Sequence, residues 1–307
     1  VLSAGIAIVL AYKGWGVWAL VAQQLMLSGF TAIILWVTNK WYPSLIFSKK
    51  SFKELFGFGG FILLSNLINT LCNNIQTILI GKFFTPSTLG YYTQARKLED
   101  VASTGFSSVV DQVTYPILSE NQNNIQRLRD VLRKLLMCIA YITMPIMAML
   151  ALTADSVIIL LYSEKWIGCI PYFQLLCIAG IAISMQGLLY YAVASIGKSK
   201  ELFKWTIIKR LVALCCVVLG MLTYGIYGLL VGSVLGAWAI YLLNAYLCVK
   251  HIGYSARQQV ADLMPIVIAN IVSYLVAHYI MQFTNMHMYM NSLLAIVAYI
   301  GIYVILS

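Results

Sequence analysis

The sequence predicts an all-α, polytopic transmembrane helix bundle of about ten helices. Three observations carry this. The 307 residues are 61% hydrophobic and only 10% charged, too few charges to cover a water-facing surface, where roughly 25% is usual. The apolar residues fall in runs long enough for spanning helices, which need about 20 residues each. The runs are also too long and continuous for barrel strands, and only helices or closed barrels satisfy the backbone in lipid.

Ten runs are delimited, at 1–12, 15–38, 57–81, 88–116, 134–154, 170–195, 205–224, 226–249, 261–281 and 289–307. The loops between them are too short to hold an extramembrane domain. The 20 Tyr and 7 Trp suit a headgroup layer, where amphipathic rings collect.

The loops provide a second reading. Those after the second, fourth, sixth and eighth runs carry Lys40, Lys49, Lys50 and Lys53, then Arg127, Arg129, Arg133 and Lys134, then Lys198, Lys200 and Lys204, then Lys250 and Arg257. The opposite loops carry Lys13, Lys82 and Lys165 alone. An excess of Lys and Arg marks the cytoplasmic side, so the alternation supports both the helix count and the orientation. The formal net charge of +10 is therefore assigned to topology and anionic membrane lipid, not to nucleic acid. Lys209 and Arg210 fall near a basic loop and are expected to snorkel to the interface. The aromatic and basic stretch from Trp41 to Phe56 reads as an interfacial segment.

Two runs carry polar faces. In 88–116, one stripe at about 100° per residue gathers Tyr92, Arg96, Glu99, Asp100, Ser103, Ser107 and Asp111. Lipid-exposed charges at that depth cost several kcal/mol, so the stripe should face a bundle interior or a water-filled cavity. In 57–81, Asn66, Asn69, Thr70, Asn73 and Thr77 share a face, with Gln76 at its edge. The candidate substrate-binding residues are accordingly Arg96, Asn66, Asn69, Asn73 and Tyr92. Arg96 would offer a planar, permanent cation to phosphate oxygens. Glu99, Asp100 and Asp111 are candidates for ion or proton coupling. The alternative is an internal ion-pair network, since Arg96 and Asp100 stand at helical i,i+4 spacing.

No catalytic signature is found. The three His form no metal-ligand pair, and the positions that would complete a P-loop before Gly81-Lys82 and Gly197-Lys198 are Gln76 and Ala192. The seven Cys include no CxxC and read as small apolar residues. No cofactor is expected. Gly57, Gly59, Gly60, Gly225, Gly228 and Gly232 are read as sites of close packing or local bending. The chain opens at Val1 inside an apolar run without an initiator Met, and is expected to be an N-terminally truncated piece of a longer protein.

Several segments resemble one family. Lys13-Gly-Trp-Gly-Val-Trp-Ala-Leu-Val21, Gly90-Tyr-Tyr-Thr-Gln-Ala-Arg-Lys-Leu98 and Tyr115-Pro-Ile-Leu-Ser119 resemble, in order and spacing, elements of the Wzx-type polysaccharide and O-antigen flippases. Lys165-Trp166, Gly197-Lys198 and Gly225-Ile-Tyr-Gly228 fall in step with them. The nearest branch is the colanic-acid-like one, within the multidrug/oligosaccharidyl-lipid/polysaccharide exporter superfamily. The resemblance implies a MATE-like two-lobe architecture with the N-terminal lobe incomplete. Residues 1–38 would end that lobe, 39–56 form a cytoplasmic interfacial linker, 57–249 make a six-helix C-terminal lobe, and 250–307 be an appended helix pair. It implies a multi-pass protein of the bacterial inner membrane. The implied activity is translocation of undecaprenyl-pyrophosphate-linked oligosaccharide repeat units, with Arg96 at the position of a cavity arginine. A polysaccharide polymerase and a chain-length regulator are implied partners. The alternatives carried are a cation-coupled multidrug antiporter of the same superfamily and a membrane polysaccharide polymerase or ligase.

Overall fold

Each spanning run must close its own backbone hydrogen bonds, and the computed structural model is helical along nearly all of the residues it describes, 2–39, 49, 70, 74–284 and 287–306. Asn66, Asn69, Asn73, the linker stretch apart from Asn39 and Lys49, and the first three glycines named above lie outside the described residues. The chain divides into two units, 1–67 and 68–307.

In the first unit, α1 (Leu2–Tyr12) and α2 (Val17–Asn39) are joined by a turn in which Gly14 and Gly16 adopt φ of +82° and +51°. That left-handed backbone favours glycine.

The second unit begins, among described helices, with α3 (residues 74–83). Thr85 then caps α4 (Pro86–Glu120): its hydroxyl accepts from the Thr88 amide, and Pro86 takes the first turn, where no amide donor is needed. Asn124 caps α5 (Ile125–Leu152) in the same way. α5 therefore starts nine residues before the apolar run does. Arg127, Arg129, Arg133 and Lys134 sit on its first turns and not in a loop, because an amphipathic first turn costs nothing outside the hydrocarbon.

A short α6 (Ala154–Tyr162) and a 3-10 helix (Glu164–Cys169) lead into α7 (Ile170–Ser195). α7 is central, packing against α4, α5 and α8. α9 (Ala256–Phe283) opens on a capping box between Ser255 and Gln258, and α10 (Met288–Leu306) follows. This pair packs on α5 through Ala269, Ala277, Ala295, Tyr299 and Tyr303 around Leu152. The Ser156 and Ser292 hydroxyls, 2.6 Å apart, join α6 to α10.

α8 (Ser199–Ile252) is two helices in one. Only Tyr224 and Gly225 leave helical geometry, with Gly225 at φ +60°, and the second arm folds back along the first. The arms touch backbone to backbone: a Cβ on Gly228 would lie 1.9 Å from the carbonyl oxygen of Gly220, and one on Gly232 would lie 2.3 Å from that of Cys216. Helices in lipid gain no hydrophobic drive toward each other, so close contact through small residues supplies the attraction. The expected runs 205–224 and 226–249 are these two arms.

One end of this unit is tied by basic side chains. Arg129 donates to the Ile252 carbonyl at 3.1 Å, Arg133 pairs with Asp262, and Glu201 meets Lys250 and His251. The other end is aromatic. Trp166 lies on Gly90 and Tyr91, and Phe84 approaches Gly225. Six helices among the described residues are long and apolar enough to span a membrane: α2, α5, α7, α8, α9 and α10. α4 is equally long but carries the charged stripe.

Candidate functional site

α4 is fixed at its aromatic end. The Tyr91 ring stands edge-on to Trp166 and Tyr172, and the Cys169 thiol donates to the Tyr91 carbonyl. Arg96 follows ten residues after Pro86, about 15 Å along the helix, or half of a hydrocarbon core of roughly 30 Å.

There the stripe splits into a buried and an open half. Arg96 Nη1 lies 3.1 Å from Glu99 Oε2, and Nη2 lies 3.1 Å from Asp100 Oδ1. The Glu99 side chain is 0% exposed, Asp100 is 44% and Arg96 is 34%. One guanidinium thus bridges a sealed carboxylate and an open one. Glu99 is sealed by α7 and α5: a Cβ on Gly180 would stand 2.8 Å from Glu99 Oε1 and 3.1 Å from the Met147 sulfur. Only glycine leaves room for both. Cys177 of α7 is a further neighbour of the carboxylate. Tyr92 is buried one turn before Arg96 and donates to Gln76 Oε1 of α3 at 2.6 Å, which joins α4 to the amide-bearing run.

The structure therefore brings Tyr92, Arg96, Glu99 and Asp100 together. Asp111 lies on α4, but its side chain is outside the described residues. Arg96 is paired with both carboxylates and is still partly exposed.

Lys209 departs from expectation. It does not snorkel: it is 5% exposed, donates to Asn244 Oδ1 on the returning arm of α8, and lies 5.8 Å from the Tyr190 ring centre. Asn244 in turn donates to the Gln186 carbonyl of α7 at 3.3 Å. The hairpin turns the lysine inward against a partner 35 residues away. Arg210, its neighbour, is exposed.

Gly180, Met147 and Asn244 are not among the residues singled out from sequence. A glycine or methionine in an apolar run carries no signal of its own. Asp262 did carry one, as a lone carboxylate in an apolar run, and it is the buried partner of Arg133 and of the Tyr254 hydroxyl at 2.8 Å. Behind Glu99, a cavity of about 580 Å³ opens between α5, α7 and α9. Met147 and Cys177 line both it and the seat of Glu99, and the cavity's polar groups include Gln174 and Asn270.

The family described as "Polysaccharide biosynthesis protein" matches residues 1–171, more than half of the chain. The chain belongs to that family. Two curated relatives of this polysaccharide biosynthesis protein agree. It is 30% identical over 183 residues to the teichuronic acid biosynthesis protein TuaB of Bacillus subtilis, covering 59% of this chain and 38% of that one. It is 27% identical over 225 residues to the lipopolysaccharide biosynthesis protein WzxC of Escherichia coli, covering 72% of this chain and 45% of that one. The chain thus spans less than half the length of these two relatives. Among solved structures, the lipid II flippase MurJ in an inward closed conformation superposes with a TM-score of 0.76 at 16% identity. That match covers 99% of this chain and 64% of MurJ, and it establishes the fold. This family member is a multi-pass protein of the inner membrane.

Proposed function

We propose that the protein is a flippase, or part of one. It would translocate undecaprenyl-pyrophosphate-linked oligosaccharide repeat units across the inner membrane by alternating access, for exopolysaccharide or lipopolysaccharide synthesis. The observation that carries this reading is Arg96, a cation about 15 Å into a helix of the bundle, held by two carboxylates and still a third exposed. A guanidinium kept partly open at that depth suits the oxygens of a pyrophosphate, and its cost is justified only by a polar cargo. Membership of a polysaccharide biosynthesis family and a fold shared with a lipid II flippase support the same cargo class.

In this reading Arg96 receives the pyrophosphate. Tyr92, Asn66, Asn69 and Asn73 line the cavity beside it, and Glu99, Asp100 and Asp111 serve coupling. The basic end is cytoplasmic. Residues 1–38 belong to one lobe, 57–249 to the other, and 250–307 form an added pair. A polymerase and a chain-length regulator act beside it. One observation favours the multidrug antiporter as second reading: the stripe on α4 holds more carboxylates than cations, which suits a cationic drug.

Reconstitution separates the two. Protein in liposomes with lipid-linked oligosaccharide on one leaflet should make that lipid accessible to an impermeant lectin or phosphatase on the other. Export of a cationic dye with no lipid movement would favour the antiporter and reject the flippase.

A further inference from the structure

The charge balance of the stripe poses a problem that the flippase reading must solve. Arg96 pairs with both Glu99 and Asp100, so an anionic head would approach a cation already shared by two carboxylates. As long as both carboxylates are ionised, the guanidinium is committed and the local field is negative. One carboxylate must be neutralised before a pyrophosphate can compete.

Burial selects which. Asp100 is 44% exposed and so is not sealed among the described residues. Glu99 is fully enclosed: its Oε2 meets Arg96, its Oε1 is packed at Gly180, and the neutral Ser103 hydroxyl is its other polar neighbour among the described residues. An ionised carboxylate out of water is tolerated only by its pairing, so withdrawing Arg96 toward a substrate leaves Glu99 as an uncompensated buried charge. Among the described residues, the groups facing it supply no other compensating charge. On α4 they are Tyr92, Arg96, Asp100 and the buried Ser103; from α7 comes the Cys177 thiol, and from α5 the thioether of Met147. Lys97, next along α4, is exposed.

We propose that Glu99 takes up one proton when the anionic head of the substrate engages Arg96. The proposal rests on the flippase reading. The proton comes from solvent and bonds to Oε1, Glu99 becomes neutral, and Nη1 of Arg96 passes from Oε2 to a phosphate oxygen. On release the proton returns to solvent and the Arg96–Glu99 pair re-forms. Met147 and Cys177 line both the seat of this carboxylate and the cavity between α5, α7 and α9.

The test is calorimetry on the protein in lipid nanodiscs, titrated with undecaprenyl diphosphate in two buffers of different ionisation enthalpy. Wild type should take up protons, and its affinity should fall about tenfold per pH unit above the titration of Glu99. The Glu99→Gln variant should bind without that uptake and with a flatter pH profile. Asp100→Asn should keep the uptake, and it carries the comparison should Glu99→Gln not fold. The probe's own phosphate protonation is common to all three and cancels. Equal proton exchange by wild type and Glu99→Gln, or the same loss of uptake in Asp100→Asn as in Glu99→Gln, would overturn the proposal. Absence of any binding by wild type would overturn the flippase reading instead, and the proposal with it.

Discussion

Gly180 of α7 is the seat of Glu99: the missing Cβ of the one leaves 2.8 Å to the carboxylate oxygen of the other. Gly180→Ala must therefore displace Glu99 and Met147. Both contacts are ends of flexible side chains, so stability should change little, by about 1 kcal/mol. Function should suffer more. Thermal melting and surface-polymer export measured on the same variant should show near-native melting with clearly reduced export. Melting and export falling in parallel would make Gly180 a packing residue only.

Gly228 provides the contrast. A Cβ there would meet the backbone oxygen of Gly220 at 1.9 Å, and backbone cannot swing aside. Gly228→Ala should pry the arms of α8 apart at a cost of about 3 kcal/mol or more. Little folded protein should be recovered from the membrane. Recovery of wild-type amounts with an unchanged melting temperature would mean the arms are not in contact.

The basic end should be held by the pair Arg133 and Asp262. Asp262 is buried, and Tyr254 donates to it as well. Arg133→Ala strands that carboxylate and should lower the melting temperature. The double variant Arg133→Ala/Asp262→Ala should lose less than the sum of the two single losses, as expected for coupled residues. Additive losses would show that the pair does not couple α5 to α9.

The carboxyl of Glu201, outside the spanning segments, is held below the usual carboxylate range, chiefly by a hydrogen bond from Lys250. A depressed folded value stabilises above the ordinary glutamate range and is lost as pH falls through the folded value. The melting temperature of wild type should therefore exceed that of Glu201→Gln at neutral pH, and the gap should close on acidification. A gap that stays constant with pH would rule out the ionised pair as its source.

Much of the fold was legible because the membrane imposes it. A span needs a long apolar run, so the helices appear in sequence. The charged stripe of α4 was legible for the same reason: Arg96 and its carboxylates stand out only against an apolar background. Contacts between helices far apart in sequence were not. Nothing in the run around Gly180 announces that Glu99 ends there. Lys209 looked like a snorkelling residue because its loop was near. Its partner Asn244 lies on the returning arm, and only the two-residue turn at Tyr224 and Gly225 brings them together.

The central claim is that Arg96 is a cavity cation serving an anionic lipid-linked cargo. The most direct measurement is surface polymer in a strain lacking its own exopolysaccharide flippase, complemented with wild type, Arg96→Lys or Arg96→Ala at matched protein levels. The account predicts that wild type restores polymer, Arg96→Lys restores part of it, and Arg96→Ala restores none. Equal polymer from all three would contradict it and leave Arg96 as the structural partner of Glu99 and Asp100.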